Sequence, residues 1–442
     1  MIQYTEPRRI RIFTLIWLGQ LVSLFGSGLT GFALGVWVYQ RTGSATQFAL
    51  ISLFTRLPGL VISPLAGAIV DNWNRRWAML LSDSGAGLST LVIAVLLFAQ
   101  KLEIWHIYLA VAISSTFSAF QEPAYASAIT LLVPKQHLSR ANSMMQMAES
   151  IARLFAPVLA GFLVVTIQIY GVFLLDFATF VFALVTLLSV RFPKANTTTF
   201  TKAGKGLLLG EIAYGWTYIT ARPGLLGLLI FLAASNFLVG MVEVLVTPMV
   251  LSFASTAVLG SVLSFGGSGM LMGSFVWLWW GGPKRRIYGV LGGQLLSGLC
   301  ILLAGLQPSA PLIAVAAFVF FFSQSLIKVS SQTIWQRKVL LDVQGRVFAV
   351  KRTLTWSSLP FAYLVAGPLA DRVFEPLMAT DGLLAGSLGQ IIGVGSGRGI
   401  GLLFITLGTF AILATVAAYK YPRLRFLEDE LPERVEHETF VY

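Results

Sequence analysis

The chain of 442 residues is 56% hydrophobic and 11% charged, and its mean hydropathy is +0.79. In soluble proteins about a quarter of the residues are charged. The composition therefore excludes a water-soluble fold and predicts that most of the surface faces lipid. The net charge of +12 does not indicate nucleic-acid binding, because the basic residues occur in short clusters between apolar runs.

Twelve apolar runs approach or exceed the roughly 20 residues that a bilayer requires. In chain order they lie at about 12–39, 46–70, 77–99, 104–133, 142–167, 170–192, 225–252, 257–281, 287–306, 310–335, 346–370 and 399–420. The sequence therefore predicts an all-α polytopic membrane protein with twelve transmembrane helices.

The longest connection between spans divides them six and six. It predicts an N-terminal six-helix lobe at 1–192, a linker at 193–224, a C-terminal six-helix lobe at 225–420 and a tail at 421–442. Leu208, Ile212, Trp216 and Ile219 fall near one face at helical spacing, which indicates an amphipathic helix on the membrane interface.

Basic clusters follow every second span, as at 75–76 and 284–286, and another precedes the first span at 8–11. Lys and Arg accumulate in cytoplasmic loops, so this alternation predicts that both termini are cytoplasmic. The expected location is the cytoplasmic (plasma) membrane.

Two loops in equivalent positions of the halves are related. GAIVDNWNRR follows the second span and GSFVWLWWGGPKRR follows the eighth. The first loop resembles the signature of the major facilitator superfamily, and ARLFAPVLAG at 152–161 is similar to its antiporter motif. Further stretches, at 133–143 and 210–223, resemble the macrolide-efflux and enterobactin-exporter type of drug:proton antiporter. The resemblance implies two lobes with a substrate site between them and transport by alternating access.

By this resemblance the signature loop forms a conformational latch made of Gly67, Asp71, Arg75 and Arg76, which Asp83 could join. A carboxylate near a facing helix N-terminus or basic group could hold one conformation. The alternative is a loop that serves only topology.

The family arrangement also implies that spans 1, 4, 7 and 10 surround a central cavity. Polar and aromatic residues on or near these spans are the candidates for substrate contact: Gln20, Phe120, Gln121, Tyr125, Asn236, Gln324, Lys328 and Trp356.

Ionisable side chains at bilayer depth are costly and usually functional. Glu122 lies near mid-bilayer on the fourth span and is the first candidate for proton coupling, with Arg56 at similar depth and Glu243 as the second candidate. A permanent ion pair between Glu122 and Arg56, or a hydrogen bond at the outer rim for Glu243, are the alternatives.

The fifth span carries Glu149, Arg153, Pro157 and Gly161 in steps of four residues along one helix stripe, and Ala156 completes the hinge motif before the proline. Glu149 and Arg153 can pair along the helix, and Pro157 permits a bend. We interpret the stripe as a hinge or seal, or else as a self-neutralised pair facing a neighbouring helix.

Small-residue patterns at Gly31–Gly35 and Gly269–Gly273 predict close helix packing. One cysteine, three separated histidines and no nucleotide-binding motif indicate neither a metal, a cofactor nor an enzyme. The sequence predicts a monomeric proton-coupled exporter of an amphipathic small molecule such as a drug, macrolide or siderophore-like compound, with protons and lipid as its other partners. An importer or lipid flippase of the same fold, and a non-transporting receptor or assembly factor, remain open.

Overall fold

The computed structural model describes residues 6–72, 75–133, 138–190 and 205–430, and the regular structure of these residues is helical. Backbone polar groups in lipid must be satisfied within the protein, and a helix does this within its own segment. The chain forms two compact units.

The first unit comprises Met1–Phe200 together with Ala254–Ser264. Its long helices are α1 (Glu6–Thr42), α2 (Ala45–Asn72), α3 (Arg75–Phe98), α4 (Ile104–Leu132), α5 (Leu138–Thr166) and α6 (Gln168–Ser189). Helix α1 packs against α5 and α6, α2 packs against α4, and α3 packs against both α4 and α6.

The second unit comprises Thr201–Phe253 and Phe265–Tyr442. It contains α7 (Lys205–Thr220), α8 (Pro223–Leu251), most of α9 (Thr256–Trp280), α10 (Arg286–Leu306), α11 (Ala310–Lys338), α12 (Leu341–Leu369), α13 (Glu375–Leu377), α14 (Gly389–Ile392), α15 (Arg398–Lys420), α16 (Pro422–Arg425) and α17 (Leu427–Glu430). Helix α10 packs against α11 and α15, and α8 packs against α12 and α15.

Each predicted span coincides with one long helix, and the ends agree within a few residues. Ten of the helices in the described part of the chain are long and apolar enough to cross a membrane. Helices α4 and α12, with 29 residues each, also exceed the length that a span requires. The predicted all-α polytopic fold is confirmed.

The linker contains a helix, as its periodicity suggests. Helix α7 packs along α12, where Gly215 lies close to the backbone carbonyl of Arg346 and Ile219 is fully buried. The side chains of Leu208 and Ile212 fall outside the described residues. A position of α7 on the membrane interface stays a prediction, as do the four domain boundaries.

The two glycine patterns behave differently. Gly269 and Gly273 on α9 face the backbone of α11 at Phe318 and Phe322, so the helices cross with main chain against main chain. Gly35 on α1 faces only the ring of Phe48, and Gly31 faces open space. Close packing therefore occurs at the second pattern, while the first is looser.

Candidate functional site

A buried cluster of hydrogen-bonded polar side chains joins three helices of the first unit. Gln20 on α1 donates from Nε2 to Oδ2 of Asp83 on α3 at 3.0 Å. Gln121 on α4 donates from Nε2 to Oε1 of Gln20 at 2.8 Å and also to Oδ1 of Asp83. Both carboxylate oxygens of Asp83 therefore accept an amide N–H. We refer to these three residues as the Asp83 cluster.

The cluster lies well inside the helices. Asp83 is eight residues, or about 12 Å, from the start of α3, and Gln121 is 17 residues, or about 26 Å, from the start of α4. Asp83 is 5% exposed and Gln20 is 6% exposed. Among the described side chains, no cation lies within ion-pair distance of Asp83, so its charge has only neutral amide partners.

Two predicted cavity residues flank the cluster on α4. Tyr125 lies one helical turn after Gln121, close enough to Asp83 for an electrostatic interaction between the two side chains. Its hydroxyl is buried and has no hydrogen-bond partner in the described part of the chain. Phe120 packs with it against the apolar core between α1, α3 and α4. A buried carboxylate therefore has beside it a tyrosine hydroxyl that forms no hydrogen bond with the described residues.

A second buried carboxylate was not among the predicted site residues. Asp176 on α6 is 4% exposed and faces the hydroxyls of Thr30 and Thr90. Gly26 on α1 provides the space for it, because a Cβ there would lie 2.8 Å from Oδ1 of Asp176. A lone acid in the apolar run of the sixth span was the available sequence signal. It has no cationic partner among the described side chains either.

The predicted residues of α8 form hydrogen bonds to α12. Asn236 donates to the backbone carbonyl of Thr355 at 3.2 Å, and Glu243 accepts from the hydroxyl of Tyr363 at 3.2 Å. On α11, Gln324 donates to Oγ of Ser297 at 3.4 Å. These contacts connect helices within the second unit.

Cationic residues of α11 and α12 form a further group. Lys328 is exposed on α11, and Trp356, with 49% of its surface exposed, lies 5.8 Å from the guanidinium of Arg352. Sequence reasoning did not select Lys351, whose ammonium donates to Oε1 of Gln332 at 3.2 Å. The only available signal was a basic pair inside an apolar run.

Several predicted residues fall outside the described side chains. These are Glu122 and the latch residues Gly67, Asp71 and Arg75. Arg56 is exposed on α2, and its predicted pairing with Glu122 therefore stays a prediction. Arg76 donates to the backbone carbonyl of Leu188 on α6 at 2.6 Å. Asp83, the fifth latch candidate, belongs to the buried cluster described above.

The predicted hinge stripe on α5 divides into a packed half and an exposed half. Ala156 is buried against Gly28 of α1, and Gly161 packs on the backbone carbonyl of Thr256, which belongs to the same unit. Pro157 lies inside the helix.

The other two residues of the stripe do not form the expected pair. Glu149 and Arg153 are exposed, and no ion pair joins them. The helical spacing permits a pair, but the two described side chains do not form one, and the hinge role of the stripe stays a prediction.

Among the described residues, no group of three or more His, Cys, Asp or Glu side chains is placed to hold a metal ion. Long apolar helices with isolated buried polar clusters define a multi-pass membrane protein. The chain matches the family model of the Major Facilitator Superfamily over residues 16–362, and it belongs to that family.

Curated relatives are similar over most of the chain. Macrolide efflux protein A of Streptococcus pyogenes is 25% identical over 366 residues, covering 82% of this chain and 90% of the relative. Multidrug efflux pump Tap of Mycolicibacterium fortuitum is 24% identical over 421 residues, covering 94% and 96%.

A solved structure has the same fold. It is a bacterial homologue of the human lysosomal transporter Spinster in an inward-facing, unoccupied conformation. It aligns with a TM-score of 0.71 at 15% identity and covers 96% of this chain and 99% of the other. The family and these relatives are membrane transporters and not enzymes.

Proposed function

We propose that the chain exports amphipathic small molecules across the cytoplasmic membrane by proton antiport, as a monomer with both termini cytoplasmic. The direction rests on the relatives named for macrolide and multidrug efflux, which are covered almost over their full length. The coupling to protons rests on one observation, the buried carboxylate of Asp83 without a cationic partner among the described side chains.

An ionised carboxylate in a low-dielectric interior costs several kcal/mol unless a charge or enough hydrogen bonds compensate it. Asp83 accepts two amide N–H groups, and the nearby hydroxyl of Tyr125 has no hydrogen-bond partner among the described residues. A proton or a cationic substrate group would each neutralise the remaining charge. The site can hold the proton or the cationic group of the substrate, but not both at once. Exchange of substrate against protons requires this mutual exclusion.

The amide pair gives the cluster two states. With Asp83 ionised, Gln20 and Gln121 donate to it; with Asp83 protonated, its O–H becomes a donor and an amide carbonyl can turn to accept it. Because the three residues lie on α1, α3 and α4, the protonation state of one carboxylate changes the hydrogen bonds between three helices. We propose this change as the step that links proton binding to alternating access. Glu122 and Glu243 remain proposed additional proton carriers.

The test is flux in proteoliposomes of purified protein, with a panel containing a macrolide, a cationic dye and an anionic dye. We expect transport of at least one compound to be stimulated by an inward-directed pH gradient imposed across the membrane. The variant Asp83→Asn should lose about 90% or more of this stimulation, while exchange of substrate without a gradient persists. Asp381→Asn, in the segment between α13 and α14, is the matched control and should behave as wild type.

Three results would overturn the proposal. Transport that ignores the gradient in the wild type would assign the chain to facilitated transport or lipid movement. Movement of the substrate in the same direction as the protons would indicate import and reverse the proposed direction. Flux of no compound, together with a cellular phenotype of the deletion, would favour a non-transporting receptor or assembly factor.

A further inference from the structure

Helices α11 and α12 hold an ammonium group in an aromatic and amide environment. The Nζ atom of Lys351 is 5.3 Å from the ring centre of Trp335 and 5.9 Å from that of Phe348. Among the described residues, its one hydrogen-bond acceptor is Oε1 of Gln332, at 3.2 Å. We refer to these four residues as the Lys351 site. An ammonium carries three donors, so two of them remain without an acceptor among the described side chains.

The position within the helices makes this arrangement costly. Gln332 is six residues, or about 9 Å, from the end of α11, and Lys351 is ten residues, or about 15 Å, from the start of α12. Both lie inside helices that are long enough to span a bilayer. A charge at such a depth requires compensation, and ring faces with a single amide oxygen provide only part of it.

Among the described side chains of the second unit, no carboxylate forms an ion pair with Lys351. Glu243 is the only acid among the described side chains of α8, α9, α10, α11, α12 and α15. It accepts from Tyr363, which is 12 residues, or about 18 Å, further along α12 than Lys351. A bound anion would supply this compensating charge.

Neighbouring residues extend the positive potential. Lys328 is exposed one turn before Gln332 on the same face of α11, and Arg352 follows Lys351. The ring of Trp356 beside Arg352 is half exposed and offers an apolar surface. Trp335 is fully buried, and its indole N–H has no acceptor in the described part of the chain. The surroundings thus combine cations with the accessible aromatic surface of Trp356.

We propose that the Lys351 site binds the anionic group of an amphipathic organic acid, a carboxylate, whose apolar body contacts the accessible rings of Phe348 and Trp356. Lys351 forms the charge-assisted hydrogen bond, and Lys328 and Arg352 raise the local positive potential. This inference rests on the proposed transport of amphipathic compounds and adds anions to the substrate class. An anionic lipid headgroup shares the chemistry and is the other source of such a ligand.

The test is binding without any gradient, in nanodiscs of phosphatidylcholine, measured by fluorescence anisotropy. Fluorescein and rhodamine 123 share a xanthene body and differ in charge, so they form a matched pair of probes. Loss of one charge-assisted hydrogen bond predicts a Kd for fluorescein that is about tenfold weaker or more in Lys351→Gln. Rhodamine 123 binding should be weakened less than twofold or strengthened. Lys351→Arg should retain fluorescein binding, and Lys101→Gln, on an exposed loop, is the control.

Three outcomes would overturn the inference: unchanged fluorescein binding in Lys351→Gln, equal weakening of both dyes, or no fluorescein binding by the wild type. Soluble competitors identify the source of the anion. Displacement of fluorescein by benzoate and not by glycerol 3-phosphate supports an organic acid, whereas the reverse assigns the site to a phospholipid headgroup and overturns the substrate role.

The outcome is separable from that of the proposed function, since binding needs no gradient. Gradient-driven flux of a cationic compound without fluorescein binding would refute only this site. If fluorescein binding depends on Lys351 but no compound is transported, the proposed transport function is refuted and the proposed anion-binding site is supported.

Discussion

The crossing of α9 and α11 predicts a large effect for a single added methyl group. In Gly269→Ala the new Cβ would lie 2.8 Å from the carbonyl carbon of Phe318 and closer still to its oxygen. Ordinary van der Waals contact begins at 3.4 Å, so the helices must separate by about 0.6 Å at least. The obstacle is backbone, which cannot rotate away as a side chain can. Overpacking of this kind costs about 1–3 kcal/mol.

The chain contains two controls for the same substitution. Gly31→Ala meets nothing within 4 Å, so it should be neutral or stabilise the helix by about 0.5–1 kcal/mol. Gly35→Ala places its Cβ 2.7 Å from an edge atom of the Phe48 ring, which can move. We therefore expect an order of stability in which Gly31→Ala is highest, Gly35→Ala intermediate and Gly269→Ala lowest.

The assay is thermal stability in detergent, followed as the monodisperse fraction that survives heating before size-exclusion chromatography. From these magnitudes, the expected difference in the free energy of unfolding between Gly31→Ala and Gly269→Ala is about 1–4 kcal/mol. If Gly269→Ala were as stable as Gly31→Ala, the main-chain contact between α9 and α11 would be refuted.

Two further predictions concern the ends of helices in the second unit. Glu375 accepts from two backbone N–H groups at the start of α15, and burial raises the pKa of Glu375 above its ordinary value of 4.5. The folded state therefore binds the proton of Glu375 more tightly than the unfolded state does. The contribution of Glu375 to stability is greatest below pH 4.5 and is lost as pH rises through the raised pKa. Glu375→Gln should flatten this pH profile in thermal melts from pH 4 to 9. The carboxylate of Glu428 on α17 accepts from the backbone N–H of Ile287 in the first turn of α10, and Glu428→Ala should cost about 0.5–2 kcal/mol. Asp429→Ala removes an exposed ion pair and should cost less, and an equal loss in both variants would contradict the capping role.

The sequence was sufficient for the helices and their order. Hydropathy and length predicted a span at 104–133, where α4 covers Ile104–Leu132, and one at 225–252, where α8 covers Pro223–Leu251. These predictions succeed because a segment in lipid has few alternatives to a helix. The amphipathic pattern of the linker likewise predicted α7.

The sequence was insufficient for the contacts between helices. Gln20 and Asp83 are 63 positions apart, and Gln20 and Gln121 are 101 apart, yet the three side chains are hydrogen bonded. Hydropathy gives the depth of a residue in its own helix but not the direction in which it faces its neighbours. For the same reason Asp83 was grouped with the latch, and Asp176 and Lys351 were not selected for any site.

Proton release on substrate binding is the measurement that tests the central claim most directly. A compound identified in the flux panel is added to purified protein in weakly buffered detergent solution, and a pH-sensitive dye reports released protons. Wild-type protein should release protons as a cationic compound binds, and Asp83→Asn should bind the compound without this release. Equal proton release by wild type and Asp83→Asn would contradict the role of Asp83 as the site where substrate and proton exclude each other.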